Sequence, residues 1–198
     1  MVDNIQLSRL ALIPNLLSIF RICLGLSVVL LYDPSSLKKL MVVFIFGLMG
    51  ELSDHLDGPL ARRLKVTSRT GYVLDGLADR SLYVAFILCI FATHYVSRIA
   101  VWLLVFGQIV VYALRVIDGS WHATVRSVRT LHVLHWTMLR LWVLSYILDD
   151  LAAAGSSIWR YKLDASGVLR DTFAWLAIGL LYSAVAIKAT EIFRKPSE

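Results

Sequence analysis

The chain has 198 residues, of which 58% are hydrophobic and 17% charged, and its mean hydropathy is +0.70. Ordinary soluble domains carry roughly 25% charged residues, so this composition excludes a soluble globular domain and a disordered chain and predicts an integral membrane protein. Two cysteines, Cys23 and Cys89, both inside apolar stretches, exclude a disulfide scaffold and read as buried reduced thiols, and the net charge of +6 is expected to set membrane topology rather than to bind nucleic acid.

A bilayer core of about 30 Å takes roughly 20 apolar residues per helix. The first dozen residues, through Arg9, are too polar and their apolar run too short for a cleavable signal peptide, and they can lie along the membrane surface as a short interfacial helix. Six segments then meet the length, near 13–33, 37–62, 71–94, 98–117, 128–149 and 169–192. No linker or repeat divides them, so the fold predicted is all-α, with six transmembrane helices in a single membrane domain over 1–198. Arg9, the connection holding Arg62, Arg63, Lys65 and Arg69, the connection holding Arg126 and Arg129, and the tail with Lys188, Arg194 and Lys195 share one side, which is predicted to be cytoplasmic. The opposite loops also hold Lys and Arg, including Lys38, Lys39, Arg160 and Lys162, so the bias is moderate.

Four aspartates stand inside this apolar sequence, as Asp54-x-x-Asp57-Gly58-x-x-Ala61-Arg62, eight further residues, then Gly71-x-x-x-Asp75-x-x-x-Asp79. Asp54 and Asp57 are three apart and Asp75 and Asp79 four apart, so each pair projects from one face of its own helix. The polar stretch from Lys65 to Thr70 reads as a turn, and antiparallel helices joined there bring both pairs toward the cytoplasmic surface. Gly58 and Gly71 remove side chains beside them, and Ala61 is small on the same side.

Ionised carboxylates in a membrane are costly without a partner. Four that converge repel one another unless positive charge intervenes, and oxygen-only ligation suits a hard cation, Mg²⁺ or Mn²⁺. Four anionic ligands suffice for two such ions sharing carboxylates, an arrangement that serves displacement at phosphorus. Arg62 adds a donor for a phosphate oxygen. The spacing thus points to phosphoryl-group transfer at a membrane surface. Against this stand a structural role for the carboxylates and, from a different functional class, a carboxylate-lined cation transporter or channel.

The eight specified residues of this 26-residue string match, without departure, the signature of the CDP-alcohol phosphatidyltransferases, and the stretch from Ile13 to Arg21 is similar to that family's first membrane helix. The resemblance implies transfer of a phosphatidyl group from CDP-diacylglycerol to a small polar alcohol, glycerol 3-phosphate or an inositol-type alcohol, with release of CMP. It implies that Asp54, Asp57, Asp75 and Asp79 hold the metal ions, Asp57 bridging them and Asp79 also taking the alcohol proton as general base. It places Gly58, Ala61, Arg62, Thr67, Ser68 and Gly71 against the cytidine nucleotide, and it implies a homodimer embedded in membrane lipid. The signature alone does not separate this from a hydrolase that transfers to water.

The acceptor is less legible. Arg115, His122, Arg126 and Arg129 collect near the cytoplasmic ends of the fourth and fifth helices and could receive an anionic acceptor, or serve only topology and lipid head groups. The chain lacks the Gly-Lys-x-Lys-Thr stretch of many members that transfer to glycerol phosphate, and after the last aspartate it reads Arg80-Ser81-Leu82-Tyr83, unlike the serine-transferring branch. His132 and His135, three apart with no acidic or thiol ligand close by, read as packed or hydrogen-bonded rather than as a metal pair. His55 is placed for contact with the aspartates without being required, and Trp102, Trp121, Trp136, Trp159 and Tyr161 read as interfacial anchors.

Overall fold

A computed structural model of the chain describes residues 4–63, 69–118, 126–155 and 166–194, with side chains at 15–56, 63, 69–114, 116–117, 128–155 and 170–190. Among the described residues there are six helices and no strand: α1 (Asn4–Leu31), α2 (Leu37–Arg63), α3 (Arg69–Thr93), α4 (Arg98–Asp118), α5 (Arg126–Gly155) and α6 (Ser166–Arg194). Each predicted segment falls within or against one helix. The difference is at the start, where α1 runs unbroken from Asn4, so residues 4–12 belong to the first helix rather than to a separate interfacial one.

Among the described residues, two helical stretches, Val128–Gly155 and Arg170–Thr190, are long and apolar enough to cross a membrane, and Asn15–Leu31 and Arg98–Leu114 are apolar but shorter. Exposure follows the pattern expected of a chain solvated by lipid. Leu16, Leu26, Leu30, Ile45, Leu52, Trp102, Phe106 and Leu176 face outward, whereas Arg21, Ser53, Arg80, Gln108, His135, Asp150 and Lys188 are buried. Hydroxyls inside the helices bond back to their own turn, Ser27 to the Cys23 carbonyl at 2.9 Å and Thr137 to the Val133 carbonyl at 2.9 Å, which removes their donors from an apolar surrounding.

The described chain divides into two compact units. The first comprises Met1–Asp33 and Lys38–Cys89, and so contains α1, nearly all of α2 and most of α3. Its contacts run in register: Asp54, Glu51, Gly50 and Gly47 of α2 meet, in that order, α3 residues from the Asp75 and Asp79 turn outward to Tyr83, Leu82 and Phe86, so the two helices are antiparallel. Tyr83 donates its hydroxyl proton to Glu51 one turn beyond the aspartates. α1 runs parallel to α3, from Arg21 beside Asp79 to the Val28 carbonyl, which accepts from the Cys89 thiol at 3.9 Å. The backbones come close at Gly25, where a Cβ would lie 3.3 Å from both the Leu82 Cα and the Ser81 carbonyl oxygen, so glycine lets them meet undisturbed. Cys89 is buried as expected; Cys23 is exposed, because it lies on the outward face of a helix apolar on all sides.

The second unit, Pro34–Leu37 and Ile90–Glu198, holds α4, α5 and α6. α5 and α6 lie side by side and α4 packs on α6, with Val111, Val128 and Leu181 at the centre of a cluster that includes Leu114, Tyr182 and Val185. Ser97 starts α4, its hydroxyl accepting from the Ala100 amide at 3.4 Å. Polar bonds cross the helices. Gln108 Nε2 and His135 Nε2 are 2.9 Å apart, and the other ring nitrogen of His135 lies 2.8 Å from the Ala177 carbonyl oxygen. Near the opposite ends, Arg170 bonds Asp149 and covers the Tyr146 ring at 4.7 Å, while His94 Nε2 sits 3.0 Å from Asp150.

Candidate active site

Asp75 and Asp79, one turn apart on α3, point at α2, where Asp54 points back. One oxygen from each of the three carboxylates lies within 4.8 Å of the others. Arg21 of α1 forms the floor. Its Nη1 is 3.3 Å from Asp54 Oδ1 and 3.4 Å from Asp75 Oδ1, and it also bonds Asp79 Oδ1. The guanidinium is fixed from behind as well, since Nε donates to Ser53 Oγ at 3.2 Å and that hydroxyl donates to the Gly50 carbonyl at 2.8 Å. Arg21 is 1% exposed, while the three carboxylates are 22–33% exposed, so the cluster opens on its acidic side.

Among the described residues, three carboxylates meet one guanidinium, which leaves an excess of negative charge in a partly buried space. The donor set is all oxygen and convergent, and a Mg²⁺ ion needs oxygens at about 2.0–2.1 Å, a distance that small rotations of groups already this close can reach. The residues therefore fit a hard divalent cation. Asp54, Asp75 and Asp79 would hold it.

Other expected site residues are placed as follows. Asp57, Gly58, Ala61 and Arg62 continue α2 beyond Asp54, with side-chain surroundings outside the described residues, and Thr67 and Ser68 lie outside them altogether. Gly71 stands in the first turn of α3, partly buried. Of the basic group expected at the acceptor, Arg129 is exposed on α5, the side chains of Arg115 and Arg126 lie outside the described residues, and so does His122. His55 bonds the Glu51 carbonyl of its own helix at 2.8 Å and is exposed. His132 and His135 are buried and hydrogen-bonded, as expected, and Trp136 donates to His132 at 3.0 Å, so it serves packing in addition to any interfacial role.

Two site residues escaped the reading of the sequence, Arg21 and Ser53. For Arg21 a signal existed: a guanidinium inside an apolar span must find an anion, and the motif aspartates stand inside two of the other spans. Ser53 carried none, since a serine beside an aspartate is unremarked until the arginine behind it is known.

An acidic, oxygen-only cluster on two antiparallel helices, floored by an arginine, has the ligand chemistry of a hard-cation site. Residues 11–189 match the CDP-alcohol phosphatidyltransferase family, so the chain belongs to that family and is a transferase. Its relatives include the CDP-diacylglycerol–glycerol-3-phosphate 3-phosphatidyltransferase of Haemophilus influenzae, 30% identical over 154 residues, which are 76% of this chain and 77% of that one. The protein of the same name from Salmonella choleraesuis is 30% identical over 80% of this chain and 97% of its own length. That from Pectobacterium atrosepticum is 40% identical over 86 residues, 43% of this chain and 46% of that one. No solved structure matches the chain.

Proposed function

We propose that the protein transfers the phosphatidyl group of CDP-diacylglycerol to the hydroxyl of a small polar alcohol, glycerol 3-phosphate first among them, and releases CMP. The observation that carries this reading is the convergence of Asp54, Asp75 and Asp79 on one point at the open side of the cluster, in a chain of this family. The names of the relatives favour glycerol 3-phosphate over an inositol-type acceptor.

In this account the whole chain, 1–198, is one membrane domain with six spans, its motif end facing the cytoplasm, and it works as a homodimer in lipid. The acyl chains of the substrate stay in the bilayer while its charged head enters from the acidic side. Asp54, Asp57, Asp75 and Asp79 would hold two ions, Mg²⁺ or Mn²⁺. Bound there, divalent cations supply charge neutralisation for the pyrophosphate and for the departing CMP. Gly58, Ala61, Arg62, Thr67, Ser68 and Gly71 cradle the nucleotide. Asp79 accepts the proton of the alcohol as its oxygen attacks phosphorus and CMP departs; Arg21, fixed by Ser53, gathers Asp75 and Asp79 before the ions bind. Arg115, Arg126 and Arg129 meet the phosphate of the acceptor.

A panel of alcohols offered to the purified protein with CDP-diacylglycerol and Mg²⁺ or Mn²⁺ tests the reading. Lipid product is expected with glycerol 3-phosphate and not with serine or plain glycerol. Product from none of the alcohols, or ion flux through liposomes without CMP, refutes it.

A further inference from the structure

We propose that Arg21 is a resident counter-ion of the acidic cluster, a positioning residue that holds Asp54, Asp75 and Asp79 together in the metal-free protein and competes with divalent cations for their oxygens. The inference rests on the reading of that cluster as the metal site of the transferase.

A single nitrogen of Arg21, Nη1, contacts an oxygen of all three carboxylates. A guanidinium does not lose its proton in proteins, so its charge is permanent. A cation at coordination distance from oxygens that also touch Nη1 would stand a few ångströms from this charge, and in a partly buried site the repulsion is strong. Both cannot keep the same oxygens. The two approach from different sides: Arg21 is 1% exposed and comes from the floor, while the carboxylates are 22–33% exposed and receive the cation from the open side. Ser53 holds Nε at 3.2 Å, and because the guanidinium is a rigid plane Nη1 draws back only if that bond also gives.

Two consequences follow. Without metal the carboxylates stay gathered instead of repelling one another apart, so the site is preassembled. With metal, affinity is lower than three carboxylates alone would give, which keeps the ions exchangeable.

The test uses the full chain in detergent, with Mn²⁺ as probe followed by the resonance of the free ion, and thermal unfolding in chelator and in Mn²⁺. For Arg21→Gln the expected result is about tenfold tighter Mn²⁺ binding, an unfolding midpoint in chelator several degrees below wild type, and recovery of most of that loss by Mn²⁺. Arg21→Lys keeps the charge but not the fork, and is expected to bind Mn²⁺ about threefold tighter than wild type, which decides the matter if the glutamine variant does not fold. Mn²⁺ binding unchanged or weakened in the folded variants overturns the proposal. Asp75→Asn separates the two readings. If it loses Mn²⁺ while the Arg21 variants bind as wild type, the counter-ion fails and the transferase site stands; if it binds Mn²⁺ undiminished, both fail.

Discussion

Arg21 of α1 and Asp79 of α3, 58 residues apart in sequence, are bonded at the centre of the candidate active site. The pairing joins a buried guanidinium of the first helix to the residue assigned the acceptor proton. Asp79→Asn keeps an oxygen that can accept from Arg21 but removes the base. CMP release is expected to fall by about 10²- to 10⁴-fold, with helical content unchanged by circular dichroism. A variant retaining more than a tenth of wild-type turnover would remove Asp79 from the chemistry.

Ser53 holds the arginine by Nε at 3.2 Å. Ser53→Ala is expected to lower stability by about 1–3 kcal/mol and, by loosening the floor of the site, to reduce kcat by roughly 5- to 30-fold, the equivalent of about 1–2 kcal/mol in the barrier. Steady-state kinetics beside thermal unfolding check both. Lost stability with intact kcat would make the serine a packing residue only.

Gly25 and Gly50 both face Leu82, in physically different ways. A Cβ at Gly25 meets backbone, the Leu82 Cα and the Ser81 carbonyl oxygen at 3.3 Å, whereas one at Gly50 meets the end of the Leu82 side chain, which can rotate away. Gly25→Leu is therefore expected to cost about 1–3 kcal/mol or more, and Gly50→Ala under about 1.5 kcal/mol. Because Gly25 is one turn from Arg21, the first substitution should also depress activity per folded molecule. Equal effects at the two positions would contradict the parallel, close packing of α1 on α3.

How far the sequence carried the account can be seen at particular residues. The helices were legible because a membrane span announces itself by length and apolarity, and the aspartates because their spacing puts each pair on one face. Cys23 was misplaced for a related reason: α1 is apolar all round, so periodicity does not say which face turns inward. Arg21 was passed over because its partners lie 32 to 58 residues away on other helices. Only the register of α1 against α3, set in part by Gly25, brings it to the motif.

His135 offers a control away from the site. It is buried between Gln108 and the Ala177 carbonyl in the second unit. Replacement by Leu is expected to cost roughly 0.6–1.7 kcal/mol for each interhelical bond lost. Mn²⁺ affinity and kcat should stay within about twofold of wild type. A large fall in metal binding would show that the histidine pair serves a metal after all.

The central claim is tested most directly by the stoichiometry of one reaction. Purified protein is given CDP-diacylglycerol and glycerol 3-phosphate, with Mg²⁺ or Mn²⁺ and then with chelator, and CMP and lipid product are measured together. The account predicts equal amounts of CMP and phosphatidylglycerophosphate, both dependent on the metal and on the acceptor. CMP released equally without acceptor, or product formed undiminished in chelator, would contradict it.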